Sequence, residues 1–172
     1  MTDRSPSSTS ADETATALTT AHLYMAAVGV IASSWAGLEL LIDASAIALG
    51  RIPAHAGFCL TSQVIGPARK LDAYIAIARL RGAERFMKEL NEFAKDSMSL
   101  AERRNRAVHD PWNFLTTGET MPSRLTITAR RILKRERKEV SAPEITRLIR
   151  DIEAHIERFE ALHDQLMAAI GT

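Results

Sequence analysis

The 25 residues from Thr14 to Leu38 contain no Asp, Glu, Lys or Arg, and a charge-free stretch of that length has to be covered by something. A bilayer is the first cover to weigh, but Thr19, Thr20, His22, Ser33 and Ser34 punctuate the run. Its continuous apolar character falls short of the roughly 18 to 20 residues that a membrane span needs. The preceding segment mixes Asp3, Arg4, Asp12 and Glu13 with Ser and Thr, unlike the basic start of a secretion signal. The expectation is therefore the inner helix of a soluble bundle, with no membrane partner, preceded by a disordered tail over residues 1–18 that lacks the apolar groups to offset ordering entropy. The single Cys59 cannot form an internal bridge and no zinc-like Cys/His cluster accompanies it, which makes a reducing, cytoplasmic setting the simpler expectation.

Beyond the tail, apolar residues recur at helical spacing and Gly or Pro divides the chain into segments. A first helix over about Thr19–Leu49 places Leu23, Ala27, Val30, Ile31, Trp35, Leu38, Ile42 and Ala46 on one face, and stops at Gly50. A second helical region, about Ala56–Arg81, is interrupted by Gly66-Pro67, since Pro removes a backbone donor and crowds the preceding turn. A third, about Ala83–His109, closes at Asp110-Pro111, because the residue before a proline avoids α geometry. From Trp112 to Val140 the helical period is lost, and Leu125-Thr-Ile-Thr with Ile132-Leu-Lys-Arg-Glu points to a short hairpin or irregular β insert. The last helix opens on a capping box, Ser141 with Glu144, and ends at Gly171. With 172 residues, 46% apolar, the chain is long enough for one domain over residues 19–172 with a core of its own. The fold expected is all-α: a four- to five-helix up-down bundle with the insert, about residues 112–140, before the last helix.

Net charge is only +1, so electrostatic arguments have to be local. Between Glu102 and Glu139 there are ten Lys and Arg against five Asp and Glu, a +5 stretch. It includes Arg106, Arg130, Arg131, Lys134 and Arg135, candidates for holding a phosphate backbone; the plainer alternative is a solvated hairpin whose cations alternate with Glu136 and Glu139. Cys59 reads as a small core residue, Trp35 and Trp112 as core or interface anchors. His155 and His163 are eight residues apart, and two imidazoles two turns apart do not make a metal site. No metal or cofactor is expected.

The third helix carries Arg104 on its otherwise apolar stripe, and Arg104, Asn105 and His109 spell R-N-x-x-x-H at its end. Arg presents a fixed fork of donors to phosphate oxygens and His can move protons near neutrality. The pair therefore suits metal-free RNA cleavage, in which a 2′-hydroxyl attacks the adjacent phosphate. Asn105 and His109 share a helix face, about 40° apart, but Arg104 lies about 140° from His109, so an ideal helix needs a long Arg side chain, a frayed turn or a second subunit to join them. The helix C-terminus and Asp110 together favour a protonated His109 ring. Glu39 is a candidate for a catalytic or Arg-orienting role; a structural ion pair, with Arg104 itself among the partners, is the alternative.

With Trp35-Ala-Gly-Leu-Glu39 on the first helix, Lys70 on the second and the R-N-x-x-x-H motif on the third, the sequence resembles the HEPN family of helical nucleotide-binding and RNase domains, whose signature is R-x4-6-H. The resemblance extends over about residues 19–170 as a pattern of elements. It implies a metal-independent endoribonuclease with Arg104 stabilising the phosphorane, His109 transferring protons and Asn105 positioning one of them. It also implies a homodimer with the motifs facing across the interface, and RNA or a nucleotide and a cognate antitoxin protein as partners. The alternatives are a HEPN-like module that only dimerises or binds nucleotide or RNA, and a structural helical adaptor in which the motif caps a helix.

Overall fold

The structure, a computed structural model, describes residues 8–114, 121–129 and 133–171, with side chains from Thr14 onward except those of 128, 129 and 133. Among these residues are five α-helices: α1 (Ser8–Gly50), α2 (Ala54–Thr61), α3 (Pro67–Leu80), α4 (Met87–His109) and α5 (Ala142–Ile170). A 3-10 turn, Glu84–Phe86, leads into α4. Between α4 and α5 lies an antiparallel sheet of β1 (Trp112–Asn113), β2 (Ser123–Ala129) and β3 (Leu133–Glu139), in that order. The mostly helical bundle with a β insert before its last helix is the architecture the spacing predicted. The insert is a true hairpin, its register running from Ser123 opposite Glu139 to Ala129 opposite Leu133.

Local chemistry explains the boundaries. α1 is helical from Ser8, well before the expected start near Thr19, because adding turns to a nucleated helix costs little; the first seven residues of the expected tail lie outside the described ones. Gly66 takes φ 85°, a left-handed turn open to glycine without strain, and Pro67 then occupies the first position of α3. Asp110 leaves α4 in extended geometry ahead of Pro111. Ser141 caps α5, accepting from the Glu144 amide at 3.3 Å.

The core is built on α1, which packs on α2, α3, α4 and α5. Tyr24, Ile31, Trp35, Leu38 and Ile42 point inward and meet Leu71 and Tyr74 of α3, Leu90 and Phe93 of α4, and Ile152, Phe159 and Leu166 of α5 in one cluster. Two residues expected on the inner face stand outside it: Leu23 is 67% exposed and Val30 46%. Periodicity misplaces them because α1 is apolar on every side, so its sequence does not mark which line is buried. Cys59, expected in the core, is exposed, since α2 buries only Gly57. By length and composition alone α1 is long and apolar enough to cross a membrane. Its inner side nevertheless holds Asp43, paired with Lys70 of α3 in the bundle.

Two histidines of α5 are held singly in the interior. His155 stacks on Phe93 with ring centres 4.0 Å apart, and its Nε2 lies 2.6 Å from Ser97 Oγ. Ser97 donates its proton to the Phe93 carbonyl, so the imidazole is the donor in this pair. Burial, assisted by Arg158, pulls His155 down to about 4. His163 Nδ1 meets Tyr74 Oη at 2.8 Å; burial lowers the histidine and raises the tyrosine. The two rings thus serve different partners on different helices.

Two measurements follow. The native state binds His155 protons only near pH 4, whereas the unfolded chain takes them up near 6.5. Stability is accordingly full above pH 6.5 and declines as pH falls toward 4. Urea midpoints across that window fall for the wild type and fall less for His155→Gln, which keeps a donor for Ser97. At Gly57, an added Cβ would sit 2.5 Å from Ile47 Cγ1. Gly57→Ala therefore costs about 1–3 kcal/mol, and in combination with Ile47→Ala it costs less than the sum of the two single changes.

Candidate functional site

The end of α4 is fixed from outside the helix. Its last carbonyls would be orphans without partners from the following segment. Asp110 N–H donates to Arg106 O at 3.3 Å, and Trp112 Nε1 reaches back to Ala107 O at 2.8 Å. Trp112 is itself wedged against Tyr24 and Phe114, with ring centres 5.7 and 5.8 Å away. The hairpin adds a second layer, in which Leu125 N–H donates to Pro111 O at 2.9 Å and Thr126 Oγ1 donates to Asp110 Oδ2 at 2.6 Å. Nothing about Thr126 or Arg124 as single residues marked them in the sequence; their role depends on the strand register that brings β2 over the turn.

On that fixed end the structure brings Arg104, Asn105 and His109 together. Arg104 Nη1 donates to Asn105 Oδ1 at 3.0 Å and lies 3.3 Å from His109 Nε2. The 140° offset between Arg104 and His109 is bridged by the length of the arginine, within one chain. Beside the motif, the Asp110 carboxylate is turned to Thr126, with Arg106 at 3.6 Å and Arg124 at 3.7 Å. Arg104 Nε is buried without a hydrogen bond among the described residues, whereas Asn105 and His109 are exposed.

Glu39 belongs to a different group. It accepts from Trp35 Nε1 at 3.0 Å and lies 4.0 Å from Lys70 Nζ, beside the Lys70–Asp43 pair. It makes no ion pair with Arg104 among the described residues, so the Arg-orienting role is not seen, whereas the structural ion pair given as its alternative is present with Lys70 as the partner. Trp35 and Lys70 fix it at the junction of α1 and α3.

The basic residues divide three ways. Arg106 is drawn to Asp110 and, at 4.0 Å, to Glu102. It lines a cleft of about 370 Å³ between α4, the hairpin and α5, shared with Arg103, Arg124 and Lys138. Each of those cations faces a carboxylate: Arg103 meets Asp151 at 2.6 Å and Lys138 meets Glu144 at 2.7 Å. Burial lowers Arg124 from the usual guanidinium range, opposed by Asp110 and Glu144, and its Nε makes no hydrogen bond among the described residues. Lys134 and Arg135 are exposed on β3, opposite Thr128 and Ile127, and by strand alternation they project from opposite faces. Arg130 and Arg131 lie outside the described residues.

Compared with protein-family models, with curated proteins and with solved structures, the chain matches none. The arrangement is therefore judged on its chemistry: an always-charged fork, an amide and an imidazole on one exposed helix end, braced by a strand and an indole. Among the described residues no group of three or more His, Cys, Asp or Glu is placed to hold a metal ion.

The indole brace is testable by itself. Trp112→Phe keeps the ring against Tyr24 but removes the donor to Ala107 O, which costs about 0.5–1.5 kcal/mol. Amide exchange of residues 106–110 accelerates in this variant while exchange in the middle of α4 does not.

Proposed function

We propose that the chain is a metal-independent endoribonuclease that cleaves RNA by attack of the 2′-hydroxyl on the neighbouring phosphate. The observation that carries this reading is the Arg104 Nη1 contact to His109 Nε2 at 3.3 Å on an exposed helix end. It presents a proton acceptor and a phosphate-binding cation at one point of the surface. In the reaction His109 Nε2 takes the 2′-hydroxyl proton as the oxygen attacks phosphorus, and Arg104 exchanges its imidazole contact for a phosphate oxygen. Charge that builds on the phosphorane then meets a guanidinium. Asn105, already a partner of Arg104, holds the guanidinium in place through the exchange. The leaving 5′-oxygen departs with a proton returned by the imidazolium or by water, so the downstream fragment begins with a 5′-hydroxyl and the upstream fragment ends in a 2′,3′-cyclic phosphate.

Two further features support this reading. Asp110, the carboxylate that follows His109, is held by Thr126, Arg106 and Arg124, so its charge is compensated before an anionic substrate arrives. The R-N-x-x-x-H sequence and its place at the end of a long helix also resemble HEPN nucleases. Exposed Lys134 and Arg135 on the hairpin supply screened, sequence-independent attraction for a phosphate backbone.

The test is cleavage of a mixed RNA pool by purified protein in EDTA. Arg104→Ala and His109→Ala each lower the rate by roughly 100-fold or more, with circular dichroism unchanged, and products carry a cyclic phosphate. A substrate with 2′-deoxyribose at the cleaved position is inert. Cleavage that survives either substitution, or that requires added divalent metal, refutes the mechanism. Tight RNA binding without turnover would favour the binding-module alternative.

A further inference from the structure

Four cations from three elements line the cleft between α4, the hairpin and α5: Arg103 and Arg106 from α4, Arg124 from β2 and Lys138 from β3. They are not equally engaged. Arg103 stands 2.6 Å from Asp151 and Lys138 2.7 Å from Glu144, distances at which both carboxylates of α5 are neutralised by direct hydrogen bonds. Arg106 and Arg124 instead share a single carboxylate, Asp110, from 3.6 and 3.7 Å, beyond hydrogen-bond reach. Asp110 takes its hydrogen bond from Thr126. A guanidinium carries five donors in a fixed fork, and among the described residues neither of these two side chains makes a hydrogen bond.

Arg124 is the most deeply set of the four. Its side chain is 11% exposed, it lies 5.9 Å over the Trp112 ring, and burial lowers it from the usual guanidinium range, with the neighbouring Arg106 charge acting in the same direction. Taking a cation out of water without meeting its donors costs free energy that a bound anion offsets. The cleft encloses about 370 Å³, within the range of small-ligand pockets. Glu102, 4.0 Å from Arg106, is 68% exposed and stands at the rim, where solvent screens it. A carboxylate ligand would offer two oxygens in a plane, the role Asp110 already fills. A phosphate offers a tetrahedral array, so one group can take a fork from α4 and another from β2.

We propose that this cleft is a phosphate-binding subsite gripped by Arg106 and Arg124. The Arg103–Asp151 and Lys138–Glu144 pairs tie α4 and β3 to α5 and so hold its walls. Arg106 carries a sequence signal for phosphate binding; its partner Arg124 is supplied by the strand register that sets it opposite Trp112. Arg106 and His109, three residues apart on α4, are neighbours on the helix surface. The subsite therefore holds a phosphate one nucleotide step from the one at the Arg104–His109 pair. That last placement rests on the ribonuclease reading; the subsite itself does not, and its binding test uses no cleavage.

Inorganic phosphate titrated into isotope-labelled protein should shift the Nε–Hε resonances of Arg106 and Arg124 with one dissociation constant, while chloride at matched ionic strength shifts neither. Arg106→Gln and Arg124→Gln each weaken phosphate binding at least roughly 10-fold, the loss of a charged hydrogen bond. Arg124→Lys keeps the charge, loses the fork and weakens binding by a similar factor. Arg106, the more exposed of the two, carries the test should Arg124→Gln fail to fold. A strand with 2′-deoxyribose throughout then separates the sources of the phosphate. Equal affinity with and without a 5′-phosphate assigns the cleft to an internal diester, and the slope of log K against log salt falls by about 0.7 for each arginine removed. An affinity at least roughly 10-fold higher with the 5′-phosphate assigns it to a terminal monoester. A phosphate titration that moves neither resonance overturns the subsite, as does binding that Arg106→Gln leaves unchanged. Absence of RNA cleavage in a protein whose two resonances still respond to phosphate removes the ribonuclease and keeps the subsite.

Discussion

Because α1 is apolar around its whole circumference, folding can hide only part of it, and the way that part is hidden organises the rest of the molecule. Trp35, Leu38 and Ile42 are sealed by Leu71 and Tyr74 of α3, by Phe93 of α4 and by Phe159 of α5. Burying side chains of this size contributes about 1.5–3 kcal/mol each, so α1 acts as the central post of the bundle. Polar groups of that interior meet in pairs across helices: Asp43 with Lys70, His155 with Ser97, and Tyr74 with His163. An unpaired member would cost what a buried, unsatisfied polar group costs, about 1–3 kcal/mol.

The order of elements was legible in the sequence because punctuation is local chemistry. Gly66-Pro67, Asp110-Pro111, Ser141 with Glu144, and Gly171 each act through backbone freedom or a cap within a few residues. α3, α4 and α5 begin or end where these say. The orientation of α1 was not legible, because Leu23 and Val30 are as apolar as Ile31 and Leu38. Only the arrangement of α3, α4 and α5 decides which of them is covered. Cys59 was misplaced for a related reason: α2 is apolar in composition but touches the bundle through Gly57, where Ile47 leaves no room for a side chain.

The candidate site was legible as residues and not as geometry. Arg104, Asn105 and His109 could be picked out by type and spacing, and their contact in one chain follows from the reach of an arginine, which an ideal helical wheel does not represent. The partners that make the contact durable come from far along the chain. Thr126 and Arg124 reach Asp110 through β2, and Trp112 closes the helix end against Tyr24, which lies almost ninety positions before it. Side chains such as these acquire a role only when topology brings them to one place. Glu39 shows the converse, a carboxylate conspicuous in sequence that Trp35 and Lys70 had already claimed.

The hairpin is fastened at its base. Leu125 bonds to Pro111, Val140 N–H donates to Pro122 O at 2.9 Å, and the Tyr24 hydroxyl donates to Val140 O at 2.9 Å. Among the described residues, these contacts between the insert and the bundle reach Thr126 on the way out and resume at Lys138, which meets Glu144 at 2.7 Å, on the way back. Farther out, Ile127, Lys134, Arg135 and Glu136 are exposed, so these positions can change in descent without disturbing the helix end beneath them. A protein arranged in this way can retune what it grips while leaving untouched the groups that would act on it.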